Sequence, residues 1–378
     1  VFRSDSFVLQ LWIAMTQRIL LLSGYDAASH RRWREQLVTL LPGYHWQTLA
    51  LPPRFFQWRI RGNPVSWLDE PCLQESWDLV IATSMVDLAT LRGLHPSLAN
   101  TPCLLYMHEN QFAFPVSDQQ RGRVEPKMVN LYSALAADAV VFNSAWNRDS
   151  FLQGVEGFLN KMPDAVPDGV MEKLRERSSV LPVPIEDRLF IDQPRPVNRA
   201  CPHLLWNHRW EYDKGPDRLL ALLEQLTERA MPFRISVVGE GFRSRPEAFD
   251  RIHRQFSGHI EHWGFLERRA DYDRLLGRAD IVLTTALHDF QGLAMLEAMA
   301  AGCLPLAPDR LAYREYVPPQ CRYTSIESDK AAEAGAAADQ LARLLEQPPV
   351  AEPPNPWRAS RLAPRYQALI EQLMSKGQ

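Results

Sequence analysis

Residues 279–309, ADIVLTTALHDFQGLAMLEAMAAGCLPLAPD, contain the pattern that decides the fold. The run ADIVLTTAL is apolar and strand-like, residues Leu293 to Ala301 are strong helix formers, and Gly302 is a suitable helix stop. A second apolar run, CLPLAP, follows directly. The order strand, glycine-containing turn, helix, strand predicts a parallel α/β unit.

The turn of this unit also carries acidic residues. Asp289 lies in the expected loop, and Glu297 follows it inside the expected helix. Turn amides and helix N-termini attract anions, so the backbone of Gly292, Leu293 and Ala294 is a candidate phosphate site. Carboxylates beside a phosphate typically bind hydroxyl groups. The pattern therefore predicts a ligand in which a phosphate is flanked by sugars.

Length and composition indicate a globular protein with more than one core. The chain has 378 residues, of which 46% are hydrophobic and 23% are charged. Its net charge of −3 gives no overall polyanion signal, so a nucleic-acid contact would need a local basic patch. The five cysteines form no C-x-x-C pair, which favours a reducing, cytoplasmic environment.

The first fourteen residues are a poor signal peptide and are too short to span a membrane. Met15 is followed by TQRILLLSG, which is typical of a first strand. We expect the working chain to begin at Met15, with residues 1–14 as an upstream translation product or a tail. No membrane association is expected.

Short apolar strands alternate with helical stretches along the whole chain, which indicates parallel sheets buried on both faces. A proline-rich stretch at 181–202 is typical of an interdomain linker. The prediction is an α/β protein with two doubly wound, Rossmann-like domains, 15–190 and 200–346, which face a cleft and bind ligands at the carboxyl ends of their strands. A last helix at 355–374 is expected to pack back towards the first domain.

Two cations follow the first strand of the second domain. Arg209 and Lys214 can converge on one diphosphate, Arg as a planar fork and Lys as a point charge. The alternative is a solvated loop whose charges pair with Glu211 and Asp213.

Two further positions in the second domain suit a nucleotide. Gly239 ends a strand in a G-x-G pattern that lets the backbone approach a ligand, but the third glycine of the dinucleotide fingerprint is missing. Leu266, after the next strand, could present backbone groups to a nucleobase. The H-x-x-H pattern at 259–262 has no companions at metal-ligand spacing, so no metal site is predicted.

Polar residues also end the strands of the first domain. His108 and Asn110, in YMHENQFAFPV, are too polar for a core and lie where ligands bind. Asn143 follows the next strand and, like Asn110, is expected to bind the acceptor. Ser144 is a plausible helix N-cap. Gly24 lies in the first strand-to-helix turn, where a donor sugar or an acceptor could approach.

A basic, aromatic-rich segment lies between His30 and Gly62. It has six arginines against one acid, Glu35, and the arginines are interleaved with aromatic residues: Arg31, Arg32, Arg34, Arg54, Arg59 and Arg61 with Trp33, Phe55, Phe56 and Trp58. Arginines with aromatics suit phosphate contact and base stacking in single-stranded loops. This favours Arg54, Arg59 and Arg61 as an RNA-binding surface, and the alternative is a solvated helix face followed by a loop.

These motifs together resemble the GT-B glycosyltransferases of the large retaining family whose signature is Glu, seven residues, Glu. The resemblance implies that Glu297 binds the ribose of a nucleotide sugar, Asp289 its hexose, Arg209 and Lys214 its diphosphate, and His108 the edge of the hexose. The first acid here is Asp rather than Glu.

A closer resemblance rests on longer motifs. YMHENQFAFPV, VVFNSAWNRDSFL, WNHRWEYDKGP, HDFQGLAMLEA and GCLPLAPDRLAY are similar to the tRNA-queuosine α-mannosyltransferases, from about Ile19 to Tyr316. The family's activity implies transfer of mannose from GDP-mannose to queuosine in a tRNA-Asp-like acceptor. Since two cations stand in for the Mg²⁺ or Mn²⁺ of other transferases, we expect neither a divalent metal nor another cofactor.

Two rival functions stay open. One is a GT-B enzyme of the same mechanism that acts on a lipid, a polysaccharide or a small molecule, although the first domain has no evident basic amphipathic helix for membrane docking. The other is a non-catalytic RNA-binding protein with a degenerate donor site. The presence of Arg209, Lys214 and Glu297 speaks against the second.

Overall fold

The computed structural model describes residues 16–115, 124–241 and 246–376. It divides into two compact units, one formed by the chain up to Val183 together with the chain from Ser360 onwards, and the other by Pro184–Ala359. Each unit contains a six-stranded parallel sheet. The predicted α/β class with two doubly wound units is confirmed.

The first unit alternates strands and helices. Its strands are β1 (Arg18–Ser23), β2 (His45–Ala50), β3 (Leu79–Thr83), β4 (Cys103–Met107), β5 (Ala139–Phe142) and β6 (Ser178–Val180). Its helices are α1 (Ala28–Leu40), α2 (Phe56–Ser66), α3 (Leu88–Leu94), α4 (Glu125–Ala136), α5 (Ala145–Leu159) and α6 (Val170–Arg177). The strand order β2-β1-β3-β4-β5-β6 reverses between β1 and β3, where doubly wound sheets bind ligands.

The central strands of this unit are apolar on both faces. Every residue of β3 and β4 is buried, as expected for a parallel sheet covered by helices. The helix that follows β5 begins at Ser144, whose Oγ accepts a hydrogen bond from the Asn147 amide at 2.9 Å. The predicted N-cap role of Ser144 is therefore confirmed.

The second unit repeats the alternation. Its strands are β7 (His203–Asn207), β8 (Arg234–Val238), β9 (Ile260–Gly264), β10 (Ile281–Leu283), β11 (Leu304–Pro308) and β12 (Arg322–Tyr323). Its helices are α7 (Pro216–Glu228), α8 (Ala248–Gln255), α9 (Arg269–Leu276), α10 (Leu293–Ala300), α11 (Tyr313–Tyr316) and α12 (Lys330–Glu346). The strand order β12-β11-β10-β7-β8-β9 places the reversal between β7 and β10.

The proline-rich stretch at 181–202, predicted to be an interdomain linker, contains the division between the two units, but its later part packs into the second unit. Ile185, Leu189 and Phe190 are buried in the core of the second unit. The Ile185 amide donates to the carbonyl oxygen of Trp357 at 2.8 Å, and the Ile185 carbonyl accepts from the Ala359 amide at 2.9 Å. The apolar residues between the prolines pack, so the second unit begins earlier than residue 200.

The last helix, α13 (Ala359–Lys376), belongs to the first unit from Ser360 onwards. The hydroxyl of buried Tyr366 accepts from Trp33 Nε1 and donates to the Tyr106 hydroxyl, both at 3.0 Å. This hydrogen-bonded aromatic cluster fixes the helix against β4. In the described part of the chain, no helix is both long and apolar enough to cross a bilayer.

Candidate active site

The loops after β7 and β10 interlock at the point where the second sheet reverses. Gly215 has a φ of +69°, and a Cβ there would lie 2.2 Å from the carbonyl oxygen of Thr285. The amides of Leu287 and His288 donate to the carbonyl oxygen of Asp213 at 2.8 and 3.2 Å. The two loops therefore present their side chains as one surface.

Lys214 is held inside this surface. Only 8% of the residue is exposed, and its Nζ donates to the His288 carbonyl at 2.7 Å and pairs with Asp213 at 3.1 Å. Arg209 is exposed and pairs with Glu211 at 2.9 Å. The ion pairs of the alternative prediction are thus present, but Lys214 is buried rather than solvated.

Asp289 both closes the turn before α10 and carries a stabilised charge. Its Oδ1 accepts from the Gly292 amide at 3.0 Å, and its Oδ2 accepts from the Tyr313 hydroxyl at 3.1 Å. Burial would raise the pKa of Asp289, but the charge of nearby Lys214 and the hydrogen bond from the Tyr313 hydroxyl act against burial, and the pKa is lowered. Asp289 is therefore a carboxylate, which can accept hydrogen bonds from hydroxyl groups.

Glu297 is 3% exposed and is paired with an arginine that the sequence did not single out. Arg269, on α9, donates to Glu297 Oε1 at 2.6 Å and to Asp273 Oδ1 at 2.9 Å. Burial would lower the pKa of Arg269, but the charge of Glu297 outweighs burial and raises it. No local pattern links residues so far apart in sequence, so only the folded structure reveals this pair.

The start of α10 is shaped for an anion. Gly292 has a φ of +77°, which favours glycine, and the amides of Leu293 and Ala294 belong to the first helical turn, where intrahelical acceptors are lacking. The sequence also missed Asn207, whose Nδ2 donates to the Ala294 carbonyl at 3.0 Å and to the Tyr272 hydroxyl at 2.8 Å. Asn207 ties β7 to the helix start.

Two histidines beside Lys214 are neutral near pH 7. Burial lowers the pKa of His208 to about 4, and Lys214 acts in the same direction. Burial likewise lowers the pKa of His288 to about 4. The positive charge of this surface therefore comes from Lys214 and Arg209, not from imidazolium groups.

Gly239 and Leu266 lie beside this surface. A Cβ at Gly239 would lie 1.7 Å from the carbonyl oxygen of His208, so contact between the loops already requires glycine. Leu266 is partly buried against the core of the second unit. Direct nucleotide contacts by these two residues stay predictions.

His108 in the first unit is buried within an aromatic cluster. Its ring stacks on that of His30 with centroids 4.3 Å apart and meets the edges of Trp33 and Tyr106. Burial, followed by the effect of His30, holds the pKa of His108 well below its usual range. Gly24 is required by packing, since a Cβ there would lie 2.8 Å from the Met85 carbonyl oxygen.

The two predicted acceptor-binding asparagines hold the loops after β4 and β5. Asn110 is fully buried, and its Nδ2 donates to Asn147 Oδ1 at 2.9 Å and to Ser150 Oγ at 3.0 Å. Asn143 Nδ2 donates to the His108 carbonyl at 2.8 Å. These hydrogen bonds show that both asparagines position the loops. Contact of either residue with the acceptor substrate stays a prediction.

The basic segment of the first unit carries less unpaired charge than its composition indicates. Arg31 and Arg34 both pair with Asp26, at 3.2 and 3.0 Å. Arg61 pairs with Asp87 at 2.7 Å. Both acids lie outside the segment, so a count of the charged residues within it did not include them.

Comparison with known families covers both units. Residues 18–185 match the family described as "tRNA-queuosine alpha-mannosyltransferase N-terminal". Residues 190–358 match the family described as "Glycosyl transferases group 1". A Drosophila melanogaster protein named tRNA-queuosine alpha-mannosyltransferase is 33% identical over 315 residues, which cover 81% of this chain and 83% of that protein.

Solved structures share the fold at low sequence identity. Sucrose-phosphate synthase from Thermosynechococcus elongatus has a TM-score of 0.67 and 16% identity, and the match covers 95% of this chain and 100% of that chain. Anabaena Alr3699/HepE, solved in complex with UDP and glucose, has a TM-score of 0.59 and 15% identity, with 95% of each chain covered. The fold is the GT-B fold, with two Rossmann-like units.

The burial of His208 predicts a pH effect on stability. The unfolded state takes up a proton near pH 6.5, whereas the folded state does so only near pH 4, so stability falls as the pH drops from about 6.5 towards 4. His208→Gln should flatten this dependence around pH 5 by up to about 1.4 kcal/mol per pH unit. Urea unfolding of the second unit at several pH values measures the slope.

The matched control is His253→Gln, which changes an exposed histidine of the same unit. This control should keep the wild-type slope. If His208→Gln also keeps it, His208 is not buried in its neutral form.

Proposed function

The chain belongs to the tRNA-queuosine alpha-mannosyltransferase family, and we propose that this glycosyltransferase moves mannose from GDP-mannose to queuosine in tRNA with retention of anomeric configuration. The observation that carries the proposal is the surface of the second unit. It combines two ionic groups suited to sugar hydroxyls, Asp289 and Glu297, with two cations suited to phosphates, Lys214 and Arg209.

The donor is assigned group by group. We place the diphosphate at the start of α10, where first-turn amides, Lys214 and Arg209 supply positive charge. Lys214 has three N–H donors and can keep its bond to the His288 carbonyl while it binds a phosphate oxygen. Glu297 would accept from the ribose hydroxyls, and Asp289 from the hexose.

In the proposed reaction, the bond between mannose C1 and the β-phosphate oxygen breaks while a queuosine hydroxyl oxygen bonds to C1 from the same face. The acceptor proton passes to the departing phosphate oxygen, so GDP leaves and no external base is required. Charge develops on that phosphate and on an oxocarbenium-like sugar. Lys214, Arg209 and the helix start would stabilise the leaving group by preorganised electrostatics.

The sugar, the acceptor and the stereochemistry rest on the related protein. The Drosophila protein is named as an alpha-mannosyltransferase acting on tRNA queuosine. GDP-mannose carries its phosphate in the α position, so an α product means retention. His108 of the first unit is proposed to contact the hexose, since its neutral ring can donate or accept one hydrogen bond.

The proposal predicts which nucleoside gains a sugar. Purified protein is incubated with queuosine-containing tRNA and, in separate reactions, GDP-mannose, UDP-glucose and UDP-galactose. Mass spectrometry of the digested tRNA should show one added hexose, on queuosine alone and with GDP-mannose alone.

Two controls accompany this experiment. A tRNA that carries guanosine instead of queuosine should stay unmodified, and Glu297→Gln should lower the yield at least about tenfold, since it removes a charged hydrogen-bond acceptor. Transfer from a UDP-sugar, or no transfer to any tRNA, would contradict the proposal.

We also propose that turnover needs no divalent metal, because Lys214 and Arg209 supply the charge that a metal would otherwise bring to the diphosphate. The transfer rate should therefore be the same, within about twofold, in EDTA and in Mg²⁺ or Mn²⁺. Full loss of turnover in EDTA that Mn²⁺ restores would show that a metal takes this role.

A further inference from the structure

The outer face of α2 in the first unit presents two large aromatic side chains to solvent. Phe55 is 71% exposed and Trp58 is 51% exposed. The opposite face of the helix is packed, since Ile60 and Asn63 are buried and Phe56 meets Tyr25 edge to face at 5.7 Å. The side of the helix that faces water therefore carries exposed aromatic residues instead of polar ones.

This helix lies at the ligand-binding edge of its sheet. It follows the loop at the carboxyl end of β2, which is tied to the end of β1 by a hydrogen bond from the Leu51 amide to the Ser23 carbonyl at 2.9 Å. Asn63 Nδ2 donates to the Met85 carbonyl, in the loop after β3, at 3.0 Å. Because the sheet order reverses between β1 and β3, α2 is anchored beside the reversal point of the first unit.

Local structure constrains the backbone of Phe55 and the ring of Trp58. Phe55 has a φ of +55°, a left-handed conformation that is rare for a bulky residue and is often retained at functional sites. The indole of Trp58 lies against Gly62, where a Cβ would come within 2.5 Å of the ring. The fold thus sets the backbone at Phe55 and gives the Trp58 ring a packing contact on one side.

The charge around the rings is positive. The Arg54 guanidinium lies 5.7 Å from the centre of the Phe55 ring, and Arg59 donates to Ser66 Oγ at 3.3 Å. The acids nearest in the chain, Asp69 and Glu70, follow the far end of the helix. Two exposed aromatic rings flanked by arginines match stacked bases with a phosphate backbone.

We propose that Phe55 and Trp58 form a stacking platform for unpaired bases of an RNA loop, with Arg54 and Arg59 binding its phosphates. This inference rests on the proposed tRNA acceptor and adds where and how the loop is bound. Arg61, paired with Asp87, has a smaller role than the sequence predicts. Single-stranded loops suit such a surface because their bases are free to stack.

The test uses two variants that spare the fold. Phe55→Gly removes the ring and relieves the left-handed backbone, so it should raise stability while it weakens RNA binding. Trp58→Leu keeps an apolar cover over Gly62. Each should weaken binding of an anticodon stem–loop by about tenfold or more, and change binding of a fully paired RNA duplex of equal length by less than about twofold.

The matched control is Tyr132→Ala, which removes another exposed aromatic side chain, on α4 of the same unit. It should leave the affinity for both RNAs unchanged, and all three variants should bind GDP as tightly as the wild type. Binding is measured by fluorescence anisotropy at one fixed salt concentration.

The outcomes separate this inference from the proposed function. If the wild type glycosylates tRNA but Phe55→Gly and Trp58→Leu bind the stem–loop normally, the platform is refuted and the function stands. Equal losses of affinity for the stem–loop and for the paired duplex would also refute stacking. So would variants that lose binding to anionic lipid vesicles while keeping RNA affinity. Absence of wild-type transfer to any tRNA would instead remove the proposed function itself.

Discussion

The ion pair between buried Glu297 and half-exposed Arg269 is the interaction on which the site of the second unit depends. A carboxylate buried this deeply would cost several kcal/mol if it had no cationic partner. Arg269 meets that charge at 2.6 Å and, through Asp273, stays fixed to its own helix. The pair joins α9 to α10, the helix at whose start we propose that the diphosphate binds.

Compensation of buried charge also determines the surface around Lys214, where we propose that the diphosphate binds. Lys214 lowers the pKa of Asp289, while burial keeps His208 and His288 neutral near pH 7. The positive charge of this surface thus comes from Lys214 and Arg209. A leaving diphosphate would meet a constant electrostatic environment, and the acidic groups would stay free of imidazolium partners that change with pH.

Local sequence patterns predicted the strands, helices and turns. Side-chain contacts between residues far apart in the sequence were visible only in the folded structure. The glycine turn at Gly292 and the cap at Ser144 follow from short-range chemistry, which is why the sequence revealed both. Arg269 and Asn207 act on α10 from other elements, so their roles needed the folded chain. The unpaired positive charge of the basic segment was overestimated for the same reason. Asp26, which lies outside the segment, pairs with arginines inside it.

The most direct test of this account is a binding cycle that uses the ribose hydroxyls as the probe. Calorimetry would compare GDP with 2′,3′-dideoxy-GDP for the wild type, Glu297→Gln, Arg269→Gln and the control Arg268→Gln, an exposed arginine on the same segment that pairs with Asp271. The account predicts that the wild type and the control prefer GDP by about tenfold or more, that Glu297→Gln binds both nucleotides alike, and that Arg269→Gln lies between them. A Glu297→Gln protein that keeps the full preference for GDP would contradict it.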